Sequence, residues 1–350
     1  MQSSSSLQIP SGMPSFSVGK VVSVKSTGRL HMGFFDLHGG LGRKFGSIGL
    51  ALDAPVLKIN AALGDTSEVI GSNAARGERM LNELLGCLSA SHPNLKSGIK
   101  LNIEQHIPEH AGLGSGTQLA LAIGTAVSYL YQLNLSTAEV ARMLNRGNRS
   151  GIGIGAFDNG GLLIDGGRSS GKAMQAIKKM PPLLARYDFP PQWRILLILD
   201  HTQPGIHGDQ EIAAFQQLPI FSEALAAHLC RHVLMQALPA LVEQDLPAFG
   251  QSIQELQAHV GDYFAPAQGG RYASTKVSAV LEYLATTDCT CFGQSSWGPT
   301  GFAIFENLDE AEKYSQILQR QFTDPALGWQ ICSARNQGAE ITYTSHSPAD

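Results

Sequence analysis

A glycine-rich segment between two contrasting patterns constrains the fold more than any other part of this chain. Residues 108–118 read PEHAGLGSGTQ. Lys100 to Ile107 before them alternates apolar and polar residues, as in a half-buried strand, and Thr117 to Leu133 after them is apolar nearly all round, as in a buried helix. Such glycines let successive N–H groups point inward, and a helix start favours an anion. The segment predicts a phosphate-binding loop made by Gly112, Leu113, Gly114, Ser115, Gly116 and Thr117.

This loop differs from the common phosphate-binding motifs. No Gly-Lys-Ser/Thr follows it, so it is not a Walker loop, and its spacing is not that of G-x-G-x-x-G. A tight turn with a helix cap would explain the same glycines. However, 24 of the chain's 38 glycines lie in five short segments, which indicates backbone that turns tightly or approaches another group closely.

The rest of the chain predicts an α+β protein of two domains. Strands and helices alternate irregularly in both halves, without the regular order of a βαβ array. Residues 166–190 lack periodicity and contain two prolines in succession, and a buried strand, WRILLIL, follows at 193–199. We therefore expect a disordered lead-in at 1–14, an amino-terminal domain at 15–185 and a carboxy-terminal domain at 186–350.

Composition excludes several classes of protein. The net charge of −4 argues against binding to nucleic acid through a strong basic field. No signal-peptide pattern opens the chain, and the apolar segments near 118–131 and 193–199 are too short or too interrupted to span a bilayer, so a cytoplasmic protein is expected. The five cysteines are mostly isolated; Cys289 and Cys291 alone form a weak metal signal, and buried thiols are the favoured interpretation.

Two segments resemble the GHMP small-molecule kinases. Pro108 to Gln118 is similar to their phosphate loop, and Gly293 to Gly301 stands where their carboxy-terminal glycine motif stands. The resemblance implies a two-domain GHMP-kinase-like fold. In those kinases Ser-Gly-x-Asp supplies a catalytic base, but here the pattern places Gly153 in the position of the acid. Asp158 and Asp165 lie nearby and could substitute, so the departure weakens a kinase function without excluding it.

A longer run of segments resembles one GHMP-fold family, the β-ribofuranosylaminobenzene 5′-phosphate synthases of methanopterin biosynthesis. The similar segments occur in the same order along the chain: Gly28–Asp36, Gly46–Leu52, Arg149–Gly153, Gly166–Gly167, Gly205–Gly208, Tyr263–Gly270 and Gly293–Gly301. The resemblance implies condensation of phosphoribosyl pyrophosphate with 4-aminobenzoate, or 4-hydroxybenzoate, with release of CO2 and pyrophosphate. It also implies Mg2+ as the cation on the phosphates and makes a homodimer plausible.

Given that resemblance, five side chains are candidates for catalysis. Arg29 and His31 alternate on one strand, so both would face one side and hold phosphate or position the aromatic acid. Asp36 and Arg43 flank a glycine turn that could bring them together, with Asp36 as a candidate metal ligand and Arg43 on pyrophosphate or the carboxylate. His207 lies in a glycine loop after a buried strand. Each candidate has a structural alternative. Arg29 could form a surface ion pair, and His31 could be a packed core histidine. Asp36 and Arg43 could form an ordinary hairpin salt bridge, and His207 could stabilise a turn.

The carboxy-terminal glycine segment supplies candidates for substrate binding. Gln294, Ser295 and Ser296 offer neutral donors, and Trp297 could stack on the aromatic ring or be simple core. Two other functions stay open: an ATP-dependent GHMP kinase acting on a small alcohol, and a binding protein that kept the fold without catalysis. A non-catalytic protein would be expected to lose the polar candidates, which are all present.

Overall fold

The computed structural model of this chain describes residues 20–93, 95, 98–170, 180–202, 205, 215 and 218–345. The elements of the first half are β1 Lys20–Asp36, β2 Arg43–Lys44, β3 Gly46–Gly64, β4 Glu68–Gly71, α1 Ala74–Ser91, β5 Gly98–Gln105, α2 Ser115–Tyr131, α3 Thr137–Met143, α4 Ile152–Asp158, β6 Leu162–Asp165, β7 Arg168–Ser169 and β8 Leu183–Tyr187. Those of the second half are β9 Arg194–Asp200, α5 Glu223–His232, a π-helix Val233–Ala237, α6 Leu238–Glu243, α7 Leu246–Gln268, α8 Thr275–Leu284, β10 Cys291–Gln294, β11 Thr300–Phe305, α9 Leu308–Gln321, β12 Leu327–Cys332 and β13 Glu340–Ser345.

The first half is built on a seven-stranded sheet. Its main path is β13-β1-β3-β5-β4, and β6 pairs with β3 and with β8. The strands β1 and β3 pair antiparallel over almost their whole length, with three shifts of register. Helix α2 is buried on nearly every side, as its apolar composition predicts, and α1 buries the apolar stripe Met80, Leu81, Leu84 and Leu88.

The second half carries a four-stranded antiparallel sheet in the order β10-β11-β9-β12. The predicted buried strand WRILLIL supplies β9, which lies between β11 and β12 and pairs with both. Helices α8 and α9 cover this sheet through an apolar cluster of their own, which includes Val277, Leu281 and Leu318. The carboxy-terminal strand β13 returns to the first sheet and pairs with β1. The chain therefore forms the predicted α+β fold, and its last strand belongs to the sheet of the first half.

The change of sheet lies a few residues after the predicted boundary at 185. Strand β8, Leu183–Tyr187, still pairs with β6 of the first sheet, and β9 begins the second sheet at Arg194. A capping box begins α3: Ser136 accepts a hydrogen bond from the Glu139 N–H, and Glu139 accepts one from the Ser136 N–H.

One continuous helical segment, Glu223–Glu243, is long and apolar enough to cross a membrane, judged by its length and composition alone. In the structure Leu229, Val233, Ala237 and Leu241 of this segment are buried in the protein core. Leu234, Met235 and Val242 of the same segment are exposed, so the segment is buried on one face only.

Candidate functional site

The predicted phosphate loop has the geometry that its glycines indicate. It follows β5, and α2 begins at Ser115 behind the cap residue Gly114. Gly112 and Gly114 have φ angles of 78° and 82°, which side chains other than glycine rarely adopt. The Leu113 carbonyl accepts a hydrogen bond from the backbone N–H of Arg29 at 3.0 Å, so the loop is attached to β1.

The two glycine segments of the kinase resemblance lie against each other. A Cβ built on Gly298 would lie 2.4 Å from the Cα of Gly112, so the two backbones touch where neither residue has a side chain. The Ser295 hydroxyl accepts from the His31 N–H at 3.0 Å and donates to the Gly112 carbonyl at 2.9 Å. Ser295 is fully buried and thus holds β1 on the loop, rather than facing a substrate.

Three arginines surround a cleft of about 730 Å³, counting the space open to solvent, which we name the anion cavity. Its lining residues are Arg29, Arg76, His110, Gly112, Gly114, Ser115, Gly116, Thr117, Arg146, Gly205, Ser296, Trp297 and Gly298. A Cβ built on Gly116 would lie 2.7 Å from Arg76 Nη2 and 3.5 Å from Arg146 Nη1, and one built on Gly114 would lie 3.2 Å from Arg29 Nε. The guanidinium groups therefore approach the loop itself.

The electrostatics of the anion cavity favour negative ligands. Arg76 is ion-paired with Glu109 at 2.7 Å, but none of the cavity's lining residues carries a carboxylate. Burial and the neighbouring charge of Arg76 lower the pKa of Arg146, whose buried Nε has no hydrogen-bond partner in the described part of the chain. A phosphate group would relieve both effects, because it supplies charge and acceptor oxygens.

A second cleft, the aromatic cavity, adjoins the first and measures about 350 Å³ by the same count, but the space that water-sized molecules can occupy in it is only about 30 Å³. An aromatic ring would therefore enter it only with movement of the surrounding side chains. The cavity is lined by His31, Met32, Gly33, Phe34, Gln257, Val260, Gly261, Phe264, Gln268, Arg271, Gln294, Ser296 and Trp297. Three aromatic rings and a few amides resemble the usual lining of a pocket for a small aromatic molecule. Helix α7 supplies one wall through Gln257, Val260 and Phe264.

His31 is a buried histidine whose pKa differs strongly from its ordinary value. It is 4 % exposed, and both ring nitrogens are buried without a hydrogen-bond partner among the described residues. Burial, together with the charge of Arg29, lowers its pKa from 6.5 to about 3. The ring is therefore neutral near pH 7, and it can offer one donor and one acceptor to a ligand rather than a positive charge.

Trp297 and Ser296 line both cavities. The Trp297 ring stacks on Phe215 with centroids 5.0 Å apart and meets Phe264 edge to face at 4.6 Å. Its indole N–H is buried and has no acceptor within the described ranges. Gln294 is 6 % exposed, and its side chain accepts from the Ala273 N–H and donates to the Ser296 carbonyl. These contacts fix the wall between the cavities.

The predicted pairing of Asp36 with Arg43 does not form. Asp36 Oδ1 accepts the backbone N–H groups of His38 and Gly39, and Arg43 donates to the carbonyls of the glycines at 166 and 167 at 2.7 and 2.6 Å. The glycine turn directs Arg43 towards β7, with which β2 pairs, and neither side chain lines the two cavities. His207 lies outside the described residues.

Gly153 stands where the kinases have a catalytic aspartate, and neither nearby aspartate can take over that role. Asp158 is exposed at the end of α4 and accepts a hydrogen bond from Thr137 at 2.9 Å. Asp165 is buried, and its carboxylate accepts from Ser47, Ser150 and two backbone N–H groups. Burial raises the pKa of the Asp165 carboxyl group. Both aspartates therefore have structural roles away from the anion cavity.

Comparison with known families agrees with this geometry. The family model for the GHMP kinases N terminal domain matches residues 78–160, and that for GHMP kinases C terminal matches residues 237–324. Beta-ribofuranosylphenol 5'-phosphate synthase of Archaeoglobus fulgidus is 33% identical over 330 residues, covering 92% of this chain and 99% of the relative. The protein of the same name from Methanocaldococcus jannaschii is 34% identical over 85% of this chain and 93% of its own.

The chain belongs to this synthase family. Solved structures show the same fold: homoserine kinase from Cytophaga hutchinsonii has a TM-score of 0.65 at 15% identity, covering 96% of this chain and 100% of its own. Mevalonate 5-diphosphate decarboxylase has a TM-score of 0.60 at 16% identity, covering 94% and 98% respectively. The predicted GHMP-kinase-like fold and the predicted family are thus confirmed, although the relatives are named for a phenol rather than an aminobenzene.

Sequence reasoning missed Arg76 and Arg146. Arg76 lies in the first turn of α1, and Arg146 follows α3, far apart in sequence from each other and from the loop. Each lies beside a helix end, and an arginine beside a helix end is common on any surface. No local pattern distinguishes these two from the chain's other arginines, so their convergence became visible only in the folded chain.

Proposed function

We propose that this chain transfers the ribose 5-phosphate group of phosphoribosyl pyrophosphate to the ring carbon of a para-substituted benzoate, with release of pyrophosphate and CO2. The observation that supports it most directly is the shared wall of Ser296 and Trp297. It joins a cavity suited to phosphates to one suited to an aromatic ring. Ligands in the two cavities would meet at that wall, as the two partners of this condensation must.

The phosphates would bind in the anion cavity. The phosphate loop offers backbone N–H groups at the start of α2, and Arg29, Arg76 and Arg146 offer charge. Departure of pyrophosphate leaves positive charge on the sugar and negative charge on the leaving group. Arginines placed before the reaction stabilise that leaving group without reorganisation, which lowers the barrier.

The aromatic acid would bind in the aromatic cavity, against Phe34 and the packed pair of Phe264 and Trp297. Its ring carbon that bears the carboxylate is para to a donating amine or hydroxyl and can attack the cationic sugar carbon. The new C–C bond forms, the bond to the carboxylate breaks, and its electron pair restores the aromatic ring. Because CO2 leaves where a proton otherwise would, that carbon needs no general base, in agreement with cavities that lack a carboxylate among their described lining residues.

His31 would act as a hydrogen-bond partner of the aromatic acid. Its low pKa makes it a weak base near neutral pH in the free protein. A buried ring whose nitrogens have no partner in the described chain gains hydrogen bonds when a polar ligand arrives. Arg29 and His31 lie two residues apart on β1. They would therefore hold the two substrates on either side of the shared wall.

This proposal includes Mg2+ as a cation bound to the substrate, without a site of its own on the protein. Mg2+ usually takes one or two carboxylates together with phosphate oxygens. The described lining of the anion cavity offers none, and Asp36, the predicted ligand, lies elsewhere. We therefore propose Mg2+ only as a companion of the substrate's pyrophosphate group, and no step above depends on it.

A decarboxylation assay with both aromatic acids tests the proposal. Carboxyl-labelled 4-hydroxybenzoate and 4-aminobenzoate are incubated separately with the purified protein and phosphoribosyl pyrophosphate, with and without Mg2+. We expect labelled CO2 and pyrophosphate in equal amounts, and the faster acid identifies the natural ring substituent. Absence of labelled CO2 from both acids, together with ATP consumption on a small alcohol, would establish a kinase instead.

The remaining expectations belong to the same proposal. A place in methanopterin biosynthesis, a cytoplasmic location, a homodimer and the lack of nucleic-acid and membrane partners all accord with an enzyme acting on small molecules. Size-exclusion chromatography with light scattering tests the homodimer, since a monomeric mass at assay concentration would contradict it. Leu234, Met235 and Val242 expose apolar side chains on one helical segment, and this surface is our candidate for the dimer contact.

A further inference from the structure

A cluster of metal-ligand side chains lies outside both cavities. The ligand atoms of His228, His232 and Glu255 all lie within 4.8 Å of one another. His228 and His232 are one turn apart on α5, and Glu255 lies on α7 opposite them. His228 Nε2 already contacts Glu255 Oε1 at 2.7 Å, so the two helices are joined at this point.

From this arrangement we propose a binding site for a divalent transition metal of the zinc class, with His228, His232 and Glu255 as ligands. Two imidazoles and one carboxylate suit Zn2+, whereas Mg2+ prefers oxygen ligands. Three protein ligands leave the fourth tetrahedral position to water. The metal would replace the direct contact between His228 and Glu255 and would connect α5 to α7.

The neighbours of these ligands hold them in suitable states. Gln236 accepts a hydrogen bond from His232 Nδ1 through its amide oxygen at 2.8 Å, and the amide nitrogen of Gln236 donates to Gln251. This arrangement places the proton of His232 on Nδ1 and leaves the lone pair of Nε2 for a metal. His259 contacts the same Glu255 oxygen at 3.0 Å and orients the carboxylate. Outer contacts of this kind are characteristic of metal sites.

The position of the cluster separates it from the proposed catalysis. Glu255 and His259 lie on one face of α7, and Gln257, Val260 and Phe264 on the other face line the aromatic cavity. A metal between α5 and α7 would therefore stabilise the helix behind that cavity without contacting a substrate. The π-helix that begins directly after His232 is a local irregularity of the kind often found beside functional residues.

Zinc titration of tag-free, chelator-treated protein tests the site. Isothermal titration calorimetry with Zn2+ is expected to show one equivalent bound, unaffected by excess Mg2+, and zinc should raise the thermal midpoint. His232→Ala and Glu255→Gln should each lose this binding event and the thermal shift. The control His106→Ala removes an exposed histidine elsewhere and should keep both.

The outcomes separate the site from unspecific binding and from the proposed function. Glu255→Gln keeps the size and packing of the side chain, so it stays informative if His232→Ala fails to fold. Zinc binding by either folded variant equal to that of the unmodified protein would overturn the proposal, and so would its loss in His106→Ala alone. Because the assay measures binding and stability, it does not depend on ribosyl transfer.

Discussion

Replacing His31 with asparagine should change how the stability of this protein depends on pH. Burial and Arg29 lower the pKa of His31 to about 3 in the folded protein, whereas an unfolded chain has a value near 6.5. Between these values the unfolded state binds a proton that the folded state does not. The folded protein therefore loses stability as the pH falls below 6.5, and the loss ends near pH 3.

The size of this effect follows from the two pKa values. Each pH unit below 6.5 costs about 1.4 kcal/mol of unfolding free energy, so His31 should account for about 2 kcal/mol between pH 7 and pH 5. Other titrating groups contribute equally to the unmodified protein and to His31→Asn, so the difference between the two isolates this histidine. The variant should lose less stability over that interval.

Urea denaturation followed by circular dichroism at pH 5, 6 and 7 measures the difference. His106→Asn, which removes an exposed histidine, is the matched control. If His31→Asn and the unmodified protein lost stability in parallel from pH 7 to pH 5, the reasoning from burial would be refuted. Such a result would mean that water or a rearranged partner solvates the ring in solution.

Three further predictions concern the two cavities. Arg146→Ala should raise the KM for phosphoribosyl pyrophosphate roughly 10- to 150-fold in steady-state kinetics, because a charge-assisted hydrogen bond is lost. An unchanged KM, or an equal rise in the exposed control Arg142→Ala, would contradict phosphate binding in the anion cavity. Phe34 lines the aromatic cavity but not the anion cavity. Phe34→Leu should therefore raise the KM for the aromatic acid roughly threefold to tenfold and leave that for phosphoribosyl pyrophosphate nearly unchanged, so equal effects on both would argue against the two-cavity assignment. Gly298→Ala would place a Cβ 2.4 Å from backbone of the phosphate loop and should lower the melting temperature by several degrees, whereas Gly86→Ala, with open space around it, should not.

Local sequence patterns were sufficient for the elements around the site. Alternation predicted the strand before the phosphate loop, continuous apolar residues predicted the buried helix after it, and glycine predicted the turn between them. These predictions hold because the backbone of a turn or a helix start depends on residues adjacent in the chain. The ordered run of similar segments likewise identified the family, which relatives at 33% and 34% identity confirm.

Side-chain partners depended on tertiary structure. Asp36 and Arg43 are close in sequence, yet the turn between them directs the arginine to carbonyls more than 120 residues away. Trp297 and Ser295, both predicted to bind substrate, differ in the structure: one forms the wall between two cavities, and the other holds a strand on the loop. Spacing predicts which residues share an element, but not which distant group a flexible side chain will meet.

The sequence by itself determined the strand, glycine turn and helix start that form the predicted phosphate loop at the start of α2. Only the tertiary structure brought Arg76 and Arg146 to that loop, placed the aromatic cavity beside it and set His228 and His232 against Glu255. The physical reason is that glycine turns and helix starts are decided by neighbouring residues. A cavity, a local excess of charge and a metal-ligand cluster arise only where packing brings distant segments together.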